Sequence, residues 1–149
     1  MGREIERKFL VSGNPEFAGK KSVFILQAYL AVEPDRIVRL RIAGNESFIT
    51  IKTGSSKGKI GRNEWEYRIP VKDAQEMIDI CMPGKIEKTR YYFPCGKHTW
   101  EVDVFHGKND GLIIAEIELG SESEKFEKPG WLGEEVTGNP EYYNSNLIK

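Results

Sequence analysis

The sequence predicts an α+β protein that is mainly antiparallel β. Three observations carry this. Eight stretches alternate apolar and polar residues at the two-residue period of a strand. The connections between them are short and hold turn residues, as antiparallel neighbours require. Only "PVKDAQEMIDICM" carries a clear helical stripe.

In chain order the strands are expected near Glu4–Val11, Val23–Leu30, Ile37–Ala43, Ser47–Thr53, Asn63–Ile69, Ile86–Phe93, Thr99–Phe105 and Leu112–Leu119. Gly44-Asn45 in "AGNES" is the pivot between two of them. "GSSKGKIG" reads as a flexible Gly/Ser/Lys loop. In the helix, Asp73 is placed to cap, with Glu76 three residues on and Ala74, Met77, Ile78 and Cys81 as the apolar stripe. Pro83-Gly84 ends it. After Leu119 the strand pattern stops, and "SESEKFEKPGWLGEEV" reads as short helical turns broken at Pro129-Gly130.

At 149 residues the chain is expected to form one domain over 1–149, with no internal repeat and no dividing linker. Twenty-two basic against 23 acidic residues give a net charge of −1, which argues against a general nucleic-acid binder. No apolar run approaches a membrane span. The charged start lacks the apolar core of a signal peptide, so a cytoplasmic protein with no membrane partner is expected. Cys81 and Cys95 read as reduced thiols, and His98 and His106 as turn or strand-end residues.

Applying the alternation to every strand sorts the charges. Glu4, Glu6 and Lys8 share a face opposite Ile5 and Phe9. The same holds for Arg39 with Arg41, for Arg62, Glu64, Glu66 and Arg68, and for Lys88 with Arg90. Glu101 pairs in this sense with Asp103, and Glu116 with Glu118, while Lys52 lies with Thr50 and Phe48. Two structures fit: a sheet with its charged face in water, or a closed sheet with that face lining a lumen. Same-sign doublets about 6.5–7 Å apart along a strand weaken a solvated face. Carboxylate doublets collect Mg²⁺ or Mn²⁺, and basic doublets collect phosphate oxygens. A site with both suits a metal–polyphosphate complex, and a charged lumen requires such a ligand because unpaired buried charge is costly.

"EIERKF" resembles the E-x-E-x-K signature of the CYTH, or triphosphate tunnel metalloenzyme, superfamily. The likeness runs on through "QAYL", "VRLRI", "FITIKT", "RNEWEYRIP", "KTRYYF", "WEVDVF", "GLIIAEIEL" and "GWLGEEVTGNPEYYNSNL". It implies an eight-stranded closed barrel, a tunnel with a charged lumen and flanking helices. It also implies metal-dependent chemistry on inorganic, nucleoside or thiamine triphosphate, using one or two Mg²⁺ or Mn²⁺ ions. Carried onto this sequence, Glu4, Glu6, Glu116 and Glu118 would ligate metal. Glu64, Glu66, Glu101 and Asp103 would lie on the lumen face, some of them holding a second ion or orienting water. Lys8, Arg39, Arg41, Lys52, Lys88 and Arg90 would bind the phosphate chain, and Arg62 would touch phosphate or pair with the carboxylates. Lys8, Arg41, Glu64, Asp103 and Tyr29 are the expected catalytic set.

Tyr29 in "QAYL" is similar to the short bacterial tripolyphosphatase branch; alternation leaves open whether it faces the lumen or packs. Phe48, Tyr91 and Tyr92 read as core rather than as a base platform. Hydrolysis of inorganic tripolyphosphate therefore leads, with nucleoside triphosphates second. The alternatives are a class IV-type adenylyl cyclase and a non-catalytic polyphosphate-binding module. The partner expected is a small anionic triphosphate, with the protein a monomer or homodimer. Trp131, Tyr143 and Leu147 are expected to pack the C-terminal segment against the barrel.

Overall fold

The computed structural model describes residues 2–53 and 61–148, and of residues 2–4, 61 and 62 the backbone only. Most of the predicted Gly/Ser/Lys loop lies outside the described residues, as do the side chains of Glu4 and Arg62. The strands are β1 (Gly2–Val11), β2 (Ser22–Glu33), β3 (Arg36–Ala43), β4 (Glu46–Thr53), β5 (Gly61–Ile69), β6 (Ile86–Cys95), β7 (His98–Phe105), β8 (Ile113–Glu118) and β9 (Leu132–Glu135). Among the described residues two short α-helices, α1 (Val71–Ile78) and α2 (Asn144–Leu147), accompany them.

The strands form one antiparallel sheet in the order β5-β4-β3-β2-β6-β7-β8-β1-β9, and β5 also pairs with β1. Among the described residues that last pairing covers Gly2–Ile5 against Gly61–Glu64. Beyond it, β1 pairs with β9 at Phe9 and Val11. The sheet is therefore not the uniformly closed eight-stranded barrel expected. Among the described residues it has nine strands, β9 takes one edge, and the opposite edge strand β5 reaches β1 over a ladder of four residue pairs. β9 is a strand the alternation missed, because four residues starting Leu-Gly are too few to display a period.

Turn chemistry joins neighbouring strands. Gly44 takes φ +61° and Gly96 φ +63° in two-residue connections, where a side chain would be strained. A register shift between Tyr29 and Ala31 marks a bulge in β2, and the Tyr29 carbonyl accepts from Met82 N–H at 2.8 Å. That bond ties the stretch after α1 to the wall. α1 is shorter than predicted, and Asp73 does not cap it: Pro70 occupies the N-cap without a side-chain bond. Asp73 sits instead in the first turn, where its charge suits the helix dipole.

On β1, β6, β7 and β8 the apolar faces are buried outside the charged wall, whereas Ile51 on β4 and Tyr67 on β5 are exposed. Ile5, Phe9, Phe93, Trp100, Val102, Ala115, Ile117 and Leu119 form one cluster. Its cover is irregular chain, not helix. Phe17 comes from the β1–β2 connection; Phe126 and Trp131 come from the segment after β8. The expected helical turns in that segment are absent among the described residues. Trp100, fully buried, meets Phe9, Phe126 and Trp131 edge-on at 5.6, 5.7 and 5.8 Å. A second cluster, Tyr29, Ile86, Phe105, Ile114 and Ile148, lies on the charged-face side instead, because Phe105 stands opposite Lys88 and Ile114 opposite Asp103; it receives Tyr142 and Leu147 from the C-terminal segment. No described helix is long and apolar enough to cross a membrane.

Candidate active site

The sequence alternation aims the charged residues at the concave face, and the register decides which of them meet. Lys52 stands opposite Glu64, and Thr50 opposite Glu66. Tyr29 stands opposite Arg39, and Gln27 opposite Arg41. Across the other half, Glu6 faces Glu118 and Lys8 faces Glu116. Glu101 also faces Glu116. A cavity of about 230 Å³ results. Glu6, Glu64, Glu66, Glu101, Glu116 and Glu118 line it together with Arg39, Arg41, Lys52 and Arg90. An adjoining pocket of about 40 Å³ shares Glu6, Arg39 and Lys52 and adds Lys8, Tyr29 and Tyr143. Tyr29, whose orientation alternation left open, thus faces the site.

Two predicted residues lie beneath the lining. Lys88 and Asp103 are fully buried, and Lys88 Nζ donates to Asp103 Oδ2 at 2.6 Å. Arg90 grips the same carboxylate with two bonds, Nε to Oδ1 at 2.8 Å and Nη2 to Oδ2 at 3.0 Å. Its Nη1 lies 3.3 Å from Glu101. Burial pushes the Asp103 carboxyl up, but the Lys88 and Arg90 cations outweigh this and hold it well below the usual range. Burial lowers Lys88 to about 8 despite Asp103. Glu116 is held at about 2, with burial opposed chiefly by Lys8. Burial raises Glu101, with Arg90 opposing.

Three site residues were not foreseen from the sequence. Gln27 accepts both Arg41 Nε and Nη2 on its amide oxygen, at 2.9 and 2.7 Å. Thr50 accepts from Arg39 at 3.1 Å and donates to Glu66 at 2.9 Å. Their shared parity with Tyr29 and Lys52 was the available signal. Asn144 lines both pockets from α2, and no periodicity marks it. Of the expected C-terminal contacts, Trp131 and Leu147 pack, whereas Tyr143 lines the smaller pocket. Tyr91 packs on Phe17, with ring centroids 4.6 Å apart, and none of Phe48, Tyr91 or Tyr92 lines either pocket.

The donor set fits a hard divalent cation. Glu6 opposite Glu118 and Glu101 opposite Glu116 are like-charge pairs across strands, an arrangement that is destabilising on its own. Glu64 Oε2 is buried and accepts no hydrogen bond; Lys52 stands 3.6 Å from it. Carboxylate oxygens are the ligands such ions prefer. Among the described residues no three candidate ligands already converge on one point. His98 and His106 instead contact Glu124 at 2.5 Å and Thr89 at 2.8 Å. Cys81 and Cys95 are free thiols.

The CYTH domain family matches residues 2–147. The inorganic triphosphatase of Acetivibrio thermocellus is 49% identical over 150 residues, covering 100% of this chain and 95% of that protein. The inorganic triphosphatase of Nitrosomonas europaea is 39% identical, covering 97% and 95%. The crystal structure of the inorganic triphosphatase NE1496 superposes with a TM-score of 0.70 at 34% identity, over 99% of this chain and 95% of that one.

Proposed function

The chain belongs to the CYTH domain family, and from that premise we propose that it is a metal-dependent hydrolase of inorganic triphosphate. The observation that carries this is the 230 Å³ cavity lined by four basic and six acidic side chains. Cations alone would suffice to bind a polyanion; the carboxylates supply metal ligands and a base. No aromatic residue among those described lines the larger cavity, which favours an inorganic chain over a nucleoside.

Glu6, Glu116 and Glu118, with Glu4, would hold one Mg²⁺ or Mn²⁺, and Glu64, Glu66 or Glu101 a second. The ion supplies charge neutralisation and polarises phosphoryl oxygens. Arg39, Arg41, Lys52 and Arg90 bind the phosphate chain and meet the charge that grows on the leaving pyrophosphate. Lys8 and Tyr29, in the adjoining pocket, orient one end of the substrate. Glu64, with an oxygen free of hydrogen bonds, aligns the attacking water and takes its proton. The new P–O bond forms as the bond to the bridging oxygen breaks. Asp103, with both oxygens occupied by cations, anchors Arg90 instead of holding an ion or orienting water, and Lys88 serves the same anchor instead of gripping phosphate. The short β1–β5 ladder supports the concave face acting as a tunnel.

The test is incubation of the protein with tripolyphosphate, ATP and thiamine triphosphate, with Mg²⁺, with Mn²⁺ or with a chelator. Orthophosphate from tripolyphosphate, abolished by the chelator, is expected. Lys8→Ala and Arg41→Ala should each lower kcat/KM by about 100-fold without unfolding the protein. Cyclic nucleotide and pyrophosphate from ATP would instead identify a cyclase, and binding without products a non-catalytic module.

A further inference from the structure

Arg41 and Arg90 both reach the cavity, but they are held by different chemistry. Arg90 forks onto Asp103, so a carboxylate offsets its charge. Arg41 forks onto Gln27, directly opposite it on β2, through Nε at 2.9 Å and Nη2 at 2.7 Å. A guanidinium only donates, so the amide must turn its oxygen toward Arg41. That leaves Gln27 Nε2 buried without a hydrogen-bond partner among the described residues, and Gln27 itself is fully buried. A glutamate of nearly the same shape would grip the fork more tightly, without that orphaned amide nitrogen. It would also cancel the positive charge that the cavity presents.

We propose that Gln27 is a positioning residue for Arg41: its neutral amide fixes the guanidinium toward the cavity while leaving the full charge for a triphosphate oxygen. Burial, with Arg39 and Arg90 near, brings Arg41 down only to about 10, so it stays cationic at neutral pH. The assignment rests on the triphosphatase reading.

A double-mutant cycle tests it. Gln27→Glu cancels the charge, and Gln27→Leu releases the fork at similar size. Each is made alone and with Arg41→Ala, and kcat, KM and melting temperature are measured with tripolyphosphate and Mg²⁺ or Mn²⁺. Alone, Gln27→Glu should lower kcat/KM about tenfold or more with no loss of melting temperature, and Gln27→Leu about fivefold. In the Arg41→Ala background both should change it by less than about twofold, because the residue they act through is gone. Equal losses in both backgrounds, native kcat/KM in Gln27→Glu, or loss of the fold in both single variants would overturn the proposal. If the native protein binds tripolyphosphate without releasing phosphate, hydrolysis fails as the function. The same cycle is then read from the calorimetric Kd for tripolyphosphate.

Discussion

Asp103 is fully buried and accepts from Lys88 and from two nitrogens of Arg90. Three charges removed from water are tolerable only while they satisfy one another. Asp103→Asn leaves two buried cations facing a neutral amide. It should cost about 3–5 kcal/mol of unfolding free energy, measured by urea denaturation, and should also reduce triphosphate turnover by freeing Arg90. A variant as stable as the native protein would show that the cluster does not hold the wall. At this scale the identity of the charged residues was legible, because side-chain alternation is a local property of the strand. Which charges neutralise one another was not. Asp103 and Glu101 have the same parity, yet Asp103 is sealed under the lining while Glu101 borders the cavity.

The strands were legible to within a few residues, since an apolar period of two over six or more residues has few other readings. The elements missed are short or irregular: β9, and the aromatic cover supplied by Phe126 and Trp131. Gly84 shows how an element can depend on a close approach. It takes φ +94°, and a Cβ there would stand 2.1 Å from the Ile148 carbonyl oxygen. The chain end is further tied by Asn109 Nδ2 to the Leu147 carbonyl at 2.9 Å, and by Lys108 to the Ile148 carbonyl. Gly84→Ala should therefore displace α2 and lower the melting temperature by several degrees. Because Asn144 and Tyr143 would move with it, KM for tripolyphosphate should change as well. An unchanged melting temperature would mean that the loop yields without disturbing the segment.

The molecule as a whole gathers carboxylates around cations, and its acid stability should show this. Glu116 is held at about 2 against an ordinary 4.5, and Asp103 is lowered too. Between those limits the unfolded chain binds more protons than the folded one, so stability rises with pH there and is lost as pH falls. Glu101, raised mainly by burial, acts in the opposite sense just above 4.5. Unfolding free energy measured by urea from pH 5 to 2.5 should fall steeply, and Glu116→Gln should flatten the fall; identical slopes would remove Glu116 as a source. The sequence by itself determined every described strand but β9, the charged and apolar faces, and the acidic and basic doublets. These follow from backbone geometry and the chemistry of single side chains. Only the tertiary structure decided that β5 also pairs with β1 along four described residue pairs, that Lys88 and Asp103 lie beneath the lining, and that α2 enters the site. Those outcomes depend on distances between segments far apart in the chain, and a local pattern carries no record of them.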